Sequence, residues 1–236
     1  MNILGIDTAT ENCSAALLLD ERLLQREQLL ERGAAEAILP MVAELLNEAG
    51  VRLSMLSAIA FGRGPGAFTG VRLAASVTQG LAFGAGLSVV PVSDLQALAQ
   101  RVLDGSPAIE RVLVCNDARM REVYGGCFER SAEGFARAWG EEHVTLPAEV
   151  RRPATWSAGP EAAPRRLAGV GSGFTVHPQL RDRLGLDLLV EGLLPRAAEV
   201  ARLAVPEVAA GRIFPAEQAL PVYLRDDVTR APNRTS

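Results

Sequence analysis

Short apolar runs and one helical stripe alternate at the start of the chain. The pattern predicts three strands, at residues 2–6, 14–19 and 23–30. Apolar residues at helical spacing then predict a helix over residues 34–49, which Gly50 ends. Pro40 falls inside this stripe and predicts a kink or a late start of the helix. The chain therefore opens with a three-strand meander followed by a helix.

Strands and helices continue to alternate further along the chain. Helices are predicted at about residues 71–83 and at residues 195–210, the latter with Pro195 in first position. Another helix is predicted from Ser93 to about residue 103, where Ser93 and Gln96 form a capping box. Further strands are predicted at residues 58–61, 87–92, 111–115 and 122–129, with a strand end at about 170. This order is typical of an α/β protein, and the early meander fits a plain Rossmann sheet poorly.

Composition narrows the classes of protein. The chain has 236 residues, 48% of them hydrophobic, which provides a sizeable core for two lobes and excludes a disordered chain. A net charge of −4 is unlike that of a strongly basic nucleic-acid binder. The sequence contains no lysine, so Schiff-base chemistry from this chain is excluded.

Three cysteines lie in apolar surroundings. Cys13, Cys115 and Cys127 are odd in number and form no C-x-x-C pair, which predicts buried, reduced thiols. No apolar stretch approaches the length of a membrane span, and the first residues lack a basic leader. We therefore expect a cytoplasmic protein.

A glycine-rich loop is the strongest local signal for a binding site. It runs from Gly62 to Gly70, after a predicted strand and before a predicted helix, an arrangement that brings backbone amides to a phosphate. No Lys-Ser/Thr pair follows the last glycine, so the loop is not a Walker A loop. The alternative is a tight strand-to-helix turn with Thr69 as the N-cap. The sequence leaves both interpretations open.

Two aspartates end predicted strands in opposite halves of the chain. Asp7 and Asp117 could hold a metal–nucleotide between two lobes, or could cap turns. Neither is followed by glycine, which favours the turn interpretation. The two histidines, His143 and His177, form no H-x-x-x-H or H-E-x-x-H motif. We predict no metal site and no catalytic residue.

The helix after the glycine loop is rich in small residues. Such residues let a second helix approach closely, so we expect an intermolecular helix contact here, with packing on the chain's own sheet as the alternative. The small residues are Ala74, Ala75, Ser76, Gly80, Ala82, Gly84, Ala85 and Gly86.

Five segments in order resemble the TsaB (YeaZ) family. The glycine loop together with the D-A-R-M-x-E-V-Y segment is the most specific part of the resemblance. The segments are residues 5–10, 62–72, 91–93, 117–124 and 221–225. The resemblance implies an α/β fold of the ASKHA type (actin, hexokinase, Hsp70), with two ribonuclease H-like lobes. The lobes would be residues 1–105 and 106–211, with residues 212–236 packing back on the first.

The resemblance also implies a role and partners. Members of this family bind TsaD, a paralogue with metal-binding histidines that transfers threonylcarbamoyl to N6 of adenosine 37 in tRNA. A small ATPase, TsaE, joins the assembly, and tRNA is its substrate. The first two helices would form the bundle with TsaD, or with a second copy in a homodimer. The partner-binding residues would be Ile38, Val42, Leu45, Val71, Ala75, Thr78, Gly80 and Ala82.

The implied role is that of a non-catalytic subunit without a tightly bound cofactor. ATP or ADP at the subunit junction is the one exception that the family suggests, with Asp7, Gly64, Gly66 and Asp117 as candidate contacts. Two alternatives remain open. The chain could be an ATP-dependent enzyme of the ASKHA kinase type, or, as the weakest alternative, an M22-type metallopeptidase.

Overall fold

The computed structural model describes residues 1–156 and 166–225. The strands are β1 Asn2–Asp7, β2 Asn12–Leu19, β3 Arg22–Leu29, β4 Ala58–Gly62, β5 Val89–Val92, β6 Ile109–Asp117, β7 Val123–Arg130, β8 Ala136–Ala138, β9 His143–Thr145, β10 Arg166–Val170 and β11 Leu188–Val190. The helices are α1 Ala34–Ala49, α2 Phe68–Ala85, α3 Asp94–Gly105, α4 Ser172–Val176, α5 Gln179–Leu184 and α6 Ala197–Ala209.

Two sheets with the same strand order form the frame. The first runs β3-β2-β1-β4-β5, with β1, β2 and β3 antiparallel and β1, β4 and β5 parallel. The second runs β8-β7-β6-β10-β11, again with three antiparallel strands followed by two parallel steps, and β9 also pairs with β7. Each half therefore repeats a meander joined to two crossover strands. This repeat confirms the predicted two-lobed α/β fold.

Alternation along the strands covers both faces of the first sheet. Leu4 and Ile6 of β1 pack with α1 and α2, whereas Ile3 packs on the opposite face with α6. Gly5 lies directly under α6. A Cβ atom at this position would lie 3.0 Å from the Cβ of Ala201. The absence of a side chain at Gly5 therefore lets α6 approach the sheet closely.

Helices α3 and α6 pack differently from their order along the chain. Helix α3 packs mainly on the second sheet, although the predicted boundary at residue 105 assigns it to the first lobe. Helix α6 packs on β1, β2, β4 and β5 of the first sheet. The two helices also contact each other. The C-terminal segment returns to the first sheet, where Ala216 and Ala219 join its core and Phe214 bridges to Val89. A lobe boundary at residue 105 stays a prediction.

Helix ends correct several details of the sequence prediction. Helix α1 begins at Ala34, so a late start at Pro40 is wrong. Helix α2 begins at Phe68 after Ala67, so Thr69 lies inside the helix and is not its N-cap. Pro195 precedes the N-cap residue of α6 and does not occupy the first helical position.

Other predictions were confirmed at residue level. Ser93 caps α3, its Oγ accepting from the backbone N–H of Leu95 and Gln96 at 3.1 and 3.2 Å. The Gln96 side chain donates instead to Ala136 O at 2.7 Å, so the capping box is not reciprocal. All three cysteines are free thiols, but only Cys13 and Cys115 are buried, whereas Cys127 is partly exposed, which corrects the prediction for that residue.

Two remaining predictions concern the chain end and membranes. Of the C-terminal residues 212–236 that were expected to pack back on the first lobe, residues 226–236 lie outside the described residues. In the described part of the chain, every helix is too short or too polar to cross a bilayer.

Candidate functional site

A cavity of about 1160 Å³ opens where the two sheets meet. It lies at the ends of β1 and β6, between the β1–β2 turn, the glycine loop, the β6–β7 turn and the C-terminal segment. Its lining includes Thr10, Gly66, Phe68, Arg72, Asn116, Asp117, Arg119, Met120, Tyr124, Ser172, Tyr223 and Arg225. Such a cleft between lobes is the place where a ligand of this fold would lie.

The glycine loop packs against the chain itself. A Cβ atom at Gly66 would lie 2.8 Å from the Ala9 Cβ, and one at Gly70 would lie 3.0 Å from the carbonyl carbon of Thr8 and closer still to its oxygen. Ala67 N–H donates to Ala9 O at 2.7 Å, and Thr8 Oγ1 donates to Gly70 O at 2.7 Å. The β1–β2 turn therefore fills the concave side of the loop, where a phosphate would otherwise bind. The strand-to-helix turn is the interpretation that this packing favours.

Asp7 lies beneath the cleft floor. Its side chain is fully buried, and its Oδ1 accepts from Ala9 N–H at 2.8 Å. Burial raises the pKa of Asp7 to about 6. Gly64 is buried beside it, and neither residue lines the cavity. Of the four predicted nucleotide contacts, the structure brings only Gly66 and Asp117 to the cavity wall. Asp7 and Gly64 are buried away from the cavity, and their contact with a nucleotide stays a prediction.

Asp117 ends β6 at the cavity edge. Its Oδ1 accepts from Arg119 N–H at 3.1 Å, and the Arg119 guanidinium lies 3.4 Å from Oδ2. The following turn places Arg119, Met120 and Arg121 at φ values of 63°, 51° and 65°. Three successive non-glycine residues in the left-handed region are strained, at about 1 kcal/mol or more each. The surroundings must hold this turn in place.

Arg225 provides part of that support. Its Nη2 donates to Ala118 O at 3.1 Å and pairs with the Glu122 carboxylate. The same C-terminal segment is tied to the first lobe, because Val222 N–H donates to Arg63 O at 2.7 Å. The segment therefore connects the glycine loop to the β6–β7 turn across the cleft.

An aromatic–cation stack forms one wall of the cavity. The Arg72 guanidinium carbon lies 3.6 Å from the centre of the Phe68 ring, and Arg72 Nε donates to Tyr223 Oη at 2.7 Å. The two rings are 5.8 Å apart between centroids. The stack joins the first turn of α2 to the C-terminal segment.

Most of the predicted partner-binding residues face inward. Seven of the eight are buried within the chain, and only Gly80 is exposed. These side chains pack on the chain's own sheet, and their part in partner binding stays a prediction. The seven are Ile38, Val42, Leu45, Val71, Ala75, Thr78 and Ala82.

The outward sides of α1 and α2 carry small and apolar side chains. On α2 the exposed residues Ser76, Gly80 and Gly84 follow at intervals of four, and Phe83 beside them is 81% exposed. On α1 the exposed Leu39 is 48% accessible. A Cβ atom at Gly80 or Gly84 would meet nothing within 4 Å. These exposed residues, which form the outer face of the helix pair, leave room for another element.

Comparison with known proteins identifies the family. The protein-family model described as "TsaD: tRNA N6-adenosine threonylcarbamoyltransferase" matches residues 28–190. The chain is 39% identical to the tRNA threonylcarbamoyladenosine biosynthesis protein TsaB of Escherichia coli, over 97% of this chain and 96% of that protein. The TsaB protein of Haemophilus influenzae is 37% identical, over 97% and 95% of the two chains. The chain belongs to the TsaB (YeaZ) family.

Solved structures of this family agree with the fold. A YeaZ structure from Pseudomonas aeruginosa superposes with a TM-score of 0.82 at 44% identity, covering 94% of this chain and 99% of that one. A second structure from the same organism, described as having similarity to peptidase YEAZ, gives 0.86 at 45% identity, covering 95% and 99%. The resemblance drawn from the sequence is confirmed.

The described TsaB-family chain offers few groups for direct chemistry. Residues 1–156 and 166–225 contain no cluster of three or more His, Cys, Asp or Glu side chains arranged to hold a metal ion. His143 lies on β9, and His177 follows α4. The cavity lining includes three arginines engaged by neighbours, namely Arg72 with Tyr223, Arg119 with Asp117 and Arg225 with Glu122.

Sequence reasoning missed several residues that shape the cleft. These residues are Arg72, Asp94, Tyr223 and Arg225, which come from three separate parts of the chain. Only the positions of Arg72, Tyr223 and Arg225 in segments resembling the family pointed to them. Asp94 was overlooked because it follows the N-cap Ser93, and an acidic residue in the first turn of a helix is already explained by its interaction with the helix dipole.

Proposed function

We propose that the chain is a non-catalytic subunit of the assembly that makes threonylcarbamoyladenosine on tRNA. It docks through the outer face of α1 and α2 onto a TsaD-like catalytic subunit, and the TsaE ATPase joins the assembly. The outer face carries the proposal, because α2 presents Ser76, Gly80 and Gly84 as a shallow strip with open space above it. Relatives named as threonylcarbamoyladenosine biosynthesis proteins, matched over nearly the full chain, supply the pathway.

Docking at this strip would bury exposed apolar area. Phe83, at 81% exposure, and Leu39, at 48%, lie on the outer sides of the two helices. Fully burying a side chain of this kind stabilises an interface by about 1.5–3 kcal/mol. Small residues at four-residue spacing let a partner helix come close between such anchors. The same strip would serve a homodimer when TsaD is absent, so the two assemblies would exclude each other.

The non-catalytic assignment is supported by the cleft. The carboxylate expected to contact a metal–nucleotide, Asp7, is sealed under the β1–β2 turn. Asp117 remains at the cavity wall but already accepts from Arg119 N–H in its own turn. The residues therefore suit a structural floor better than phosphoryl transfer or peptide hydrolysis.

Reconstitution of the modification reaction tests the function. TsaD, TsaE, tRNA and threonylcarbamoyl-AMP are combined with and without this chain, and N6-modified adenosine is measured by mass spectrometry of digested tRNA. We expect modification only when the chain is present, and no transfer by the chain alone. Equal modification without it would refute the proposal, and transfer by the isolated chain would make it an enzyme.

A matched pair of glycine variants tests the docking face. Gly80→Leu places a side chain in the strip without touching the chain's own core, because nothing lies within 4 Å of its Cβ. Overpacking costs about 1–3 kcal/mol, which weakens TsaD binding by about tenfold or more in calorimetry. Gly105→Leu is the control, since Gly105 is also helical, exposed and without neighbours within 4 Å. Equal affinities of the two variants would remove α2 from the interface.

Nucleotide binding distinguishes the kinase-type alternative. We propose that ATP or ADP binds only at the junction with TsaD, against the cleft edge that includes Gly66 and Asp117. Calorimetry with ATP and magnesium should show saturable binding for the complex and none for the isolated chain. Saturable binding by the isolated chain that Asp117→Asn abolishes would favour the kinase alternative.

A further inference from the structure

Two buried carboxyl groups meet over Gly62, at the end of β4. Asp7 comes from the end of β1, and Asp94 from the first residue of α3. A Cβ atom at Gly62 would lie 3.1 Å from the carboxyl carbon of Asp94 and 3.2 Å from that of Asp7. Both aspartate side chains are fully buried. Glycine at this position leaves the space that the two carboxyl groups occupy.

Each carboxyl group has one satisfied and one unsatisfied oxygen. Asp7 Oδ1 accepts from Ala9 N–H at 2.8 Å, and Asp94 Oδ2 accepts from Gly64 N–H. Asp7 Oδ2 and Asp94 Oδ1 are buried and have no donor. The two side chains are nevertheless close enough to hydrogen-bond to each other. Two ionised carboxylates in such contact would repel strongly, whereas one added proton supplies the missing donor.

The surrounding charges add to this repulsion. Glu199 of α6 faces Asp7, and Glu142, between β8 and β9, faces Asp94. Each of these glutamates already has its own arginine, Glu199 with Arg196 at 2.8 Å and Glu142 with Arg63 at 3.3 Å. The one further titratable neighbour is the Cys13 thiol on β2, whose pKa burial raises to about 11. No described group therefore offers the aspartate pair a compensating positive charge.

We propose that Asp7 and Asp94 share one proton at neutral pH, with Asp94 Oδ1 donating to Asp7 Oδ2. The proton then joins two segments of the cleft floor. Asp7 holds the β1–β2 turn through Ala9, and Asp94 holds the glycine loop through Gly64, whose carbonyl accepts from Asp94 N–H at 3.1 Å. The shared proton thus ties the turn to the loop that leads into α2.

The pH dependence follows from the environment of each group. Burial is the main cause that raises the pKa of Asp94 well above its ordinary value, and the charge of Asp7 raises it further. An unfolded aspartate has a pKa of about 4. Above that pH the unfolded chain loses this proton and the folded chain keeps it, so the folded state binds more protons. The stability that this proton contributes is therefore fully present below about pH 4 and is lost as pH rises towards the raised pKa of Asp94.

Asp94→Asn tests the proton directly. The asparagine amide can donate to Asp7 where the protonated carboxyl did, while its carbonyl still accepts from Gly64 N–H. We measure urea unfolding of the full chain between about pH 5 and pH 7. The unfolding constant of the wild type, relative to that of Asp94→Asn, should rise about tenfold per pH unit. Asp117→Asn is the matched control, because Asp117, like Asp94, accepts from a backbone N–H but lies at the cavity edge instead of beside Asp7, so this variant should keep the wild-type slope.

An infrared measurement on the wild type tests the proposal even if the Asp94→Asn variant fails to fold. A protonated carboxyl C=O band should be present at neutral pH, shift in heavy water, and be missing in Asp94→Asn. The proposal is overturned if the wild type lacks this band, or if Asp94→Asn keeps the wild-type pH slope. It is also overturned if magnesium or manganese stabilises the wild type but not Asp94→Asn, since a cation would then bridge the pair.

Discussion

Gly70→Ala should destabilise the protein, although alanine is the better helix former. Gly70 is the third residue of α2, where alanine would gain about 0.5–1 kcal/mol from helix propensity alone. Its Cβ would lie 3.0 Å from the Thr8 carbonyl carbon and closer to the oxygen, and real Cβ atoms essentially never come within 3.0 Å of a neighbour. Overpacking costs about 1–3 kcal/mol, and a backbone carbonyl cannot rotate away. Because the contact with the carbonyl oxygen is severe, the upper end of this cost applies, and after the propensity gain we expect a net loss of about 2 kcal/mol.

Gly80→Ala provides the control within the same helix. Its Cβ would meet nothing within 4 Å, so only the helix-propensity gain remains and stability should rise. In urea unfolding, a loss of about 2 kcal/mol lowers the midpoint by roughly 1 M at the usual slopes. If Gly70→Ala unfolded at or above the wild-type midpoint, the β1–β2 turn would not fill the glycine loop as argued. If both variants lost stability equally, the effect would lie in the helix and not in the loop contact.

Two further predictions concern buried side chains. Arg196→Ala leaves the Glu199 side chain, which is 3% exposed, without the guanidinium that pairs with both of its oxygens, and should lower the free energy of unfolding by about 3–5 kcal/mol in urea. The double variant with Glu199→Gln should recover part of this loss. Full stability of the single variant would contradict the prediction. Burial raises the pKa of Cys13 and Cys127 to about 11, so alkylation of the native chain near pH 8 should be roughly a hundredfold slower than in urea, as followed by mass spectrometry. Equal rates in both states would show that these thiols are accessible.

The first lobe was predictable because its elements are long and regular. Strands β1 to β3 and helix α1 each match the predicted segments within a residue or two, since eight-residue strands and a sixteen-residue stripe carry a clear period. The second sheet contains β8, β9 and β11, each of three residues, and a segment that short has no measurable period. These strands are specified by pairing with β7 and β10, which no local pattern reports.

The predicted partner residues are mostly buried within the chain for a physical reason. Apolar positions at helical spacing, such as Ile38, Val42 and Leu45, identify the face that packs on the chain's own sheet. A docking face on the same helix lies on the other side and is marked by exposed small or isolated apolar residues, such as Gly80 and Phe83. Periodicity therefore located the helices correctly and selected their inner face. The same limit applies to Asp7, because a strand-ending aspartate has the same local sequence whether it is exposed or sealed.

Helix α2 connects the glycine loop at the cleft with the proposed docking face. Helix α2 begins at the glycine loop and presents Gly80 ten residues beyond Gly70, about 15 Å along the helix axis. Any ligand that entered the concave side of the loop would have to displace the Thr8–Ala9 turn, and with it the bond from Ala9 N–H to Asp7. Movement of that turn would release the first turn of α2, because Thr8 Oγ1 holds Gly70 O. Under the proposed function, a filled loop and a fixed helix α2 would thus be the same structural state, as a subunit that positions a catalytic partner requires.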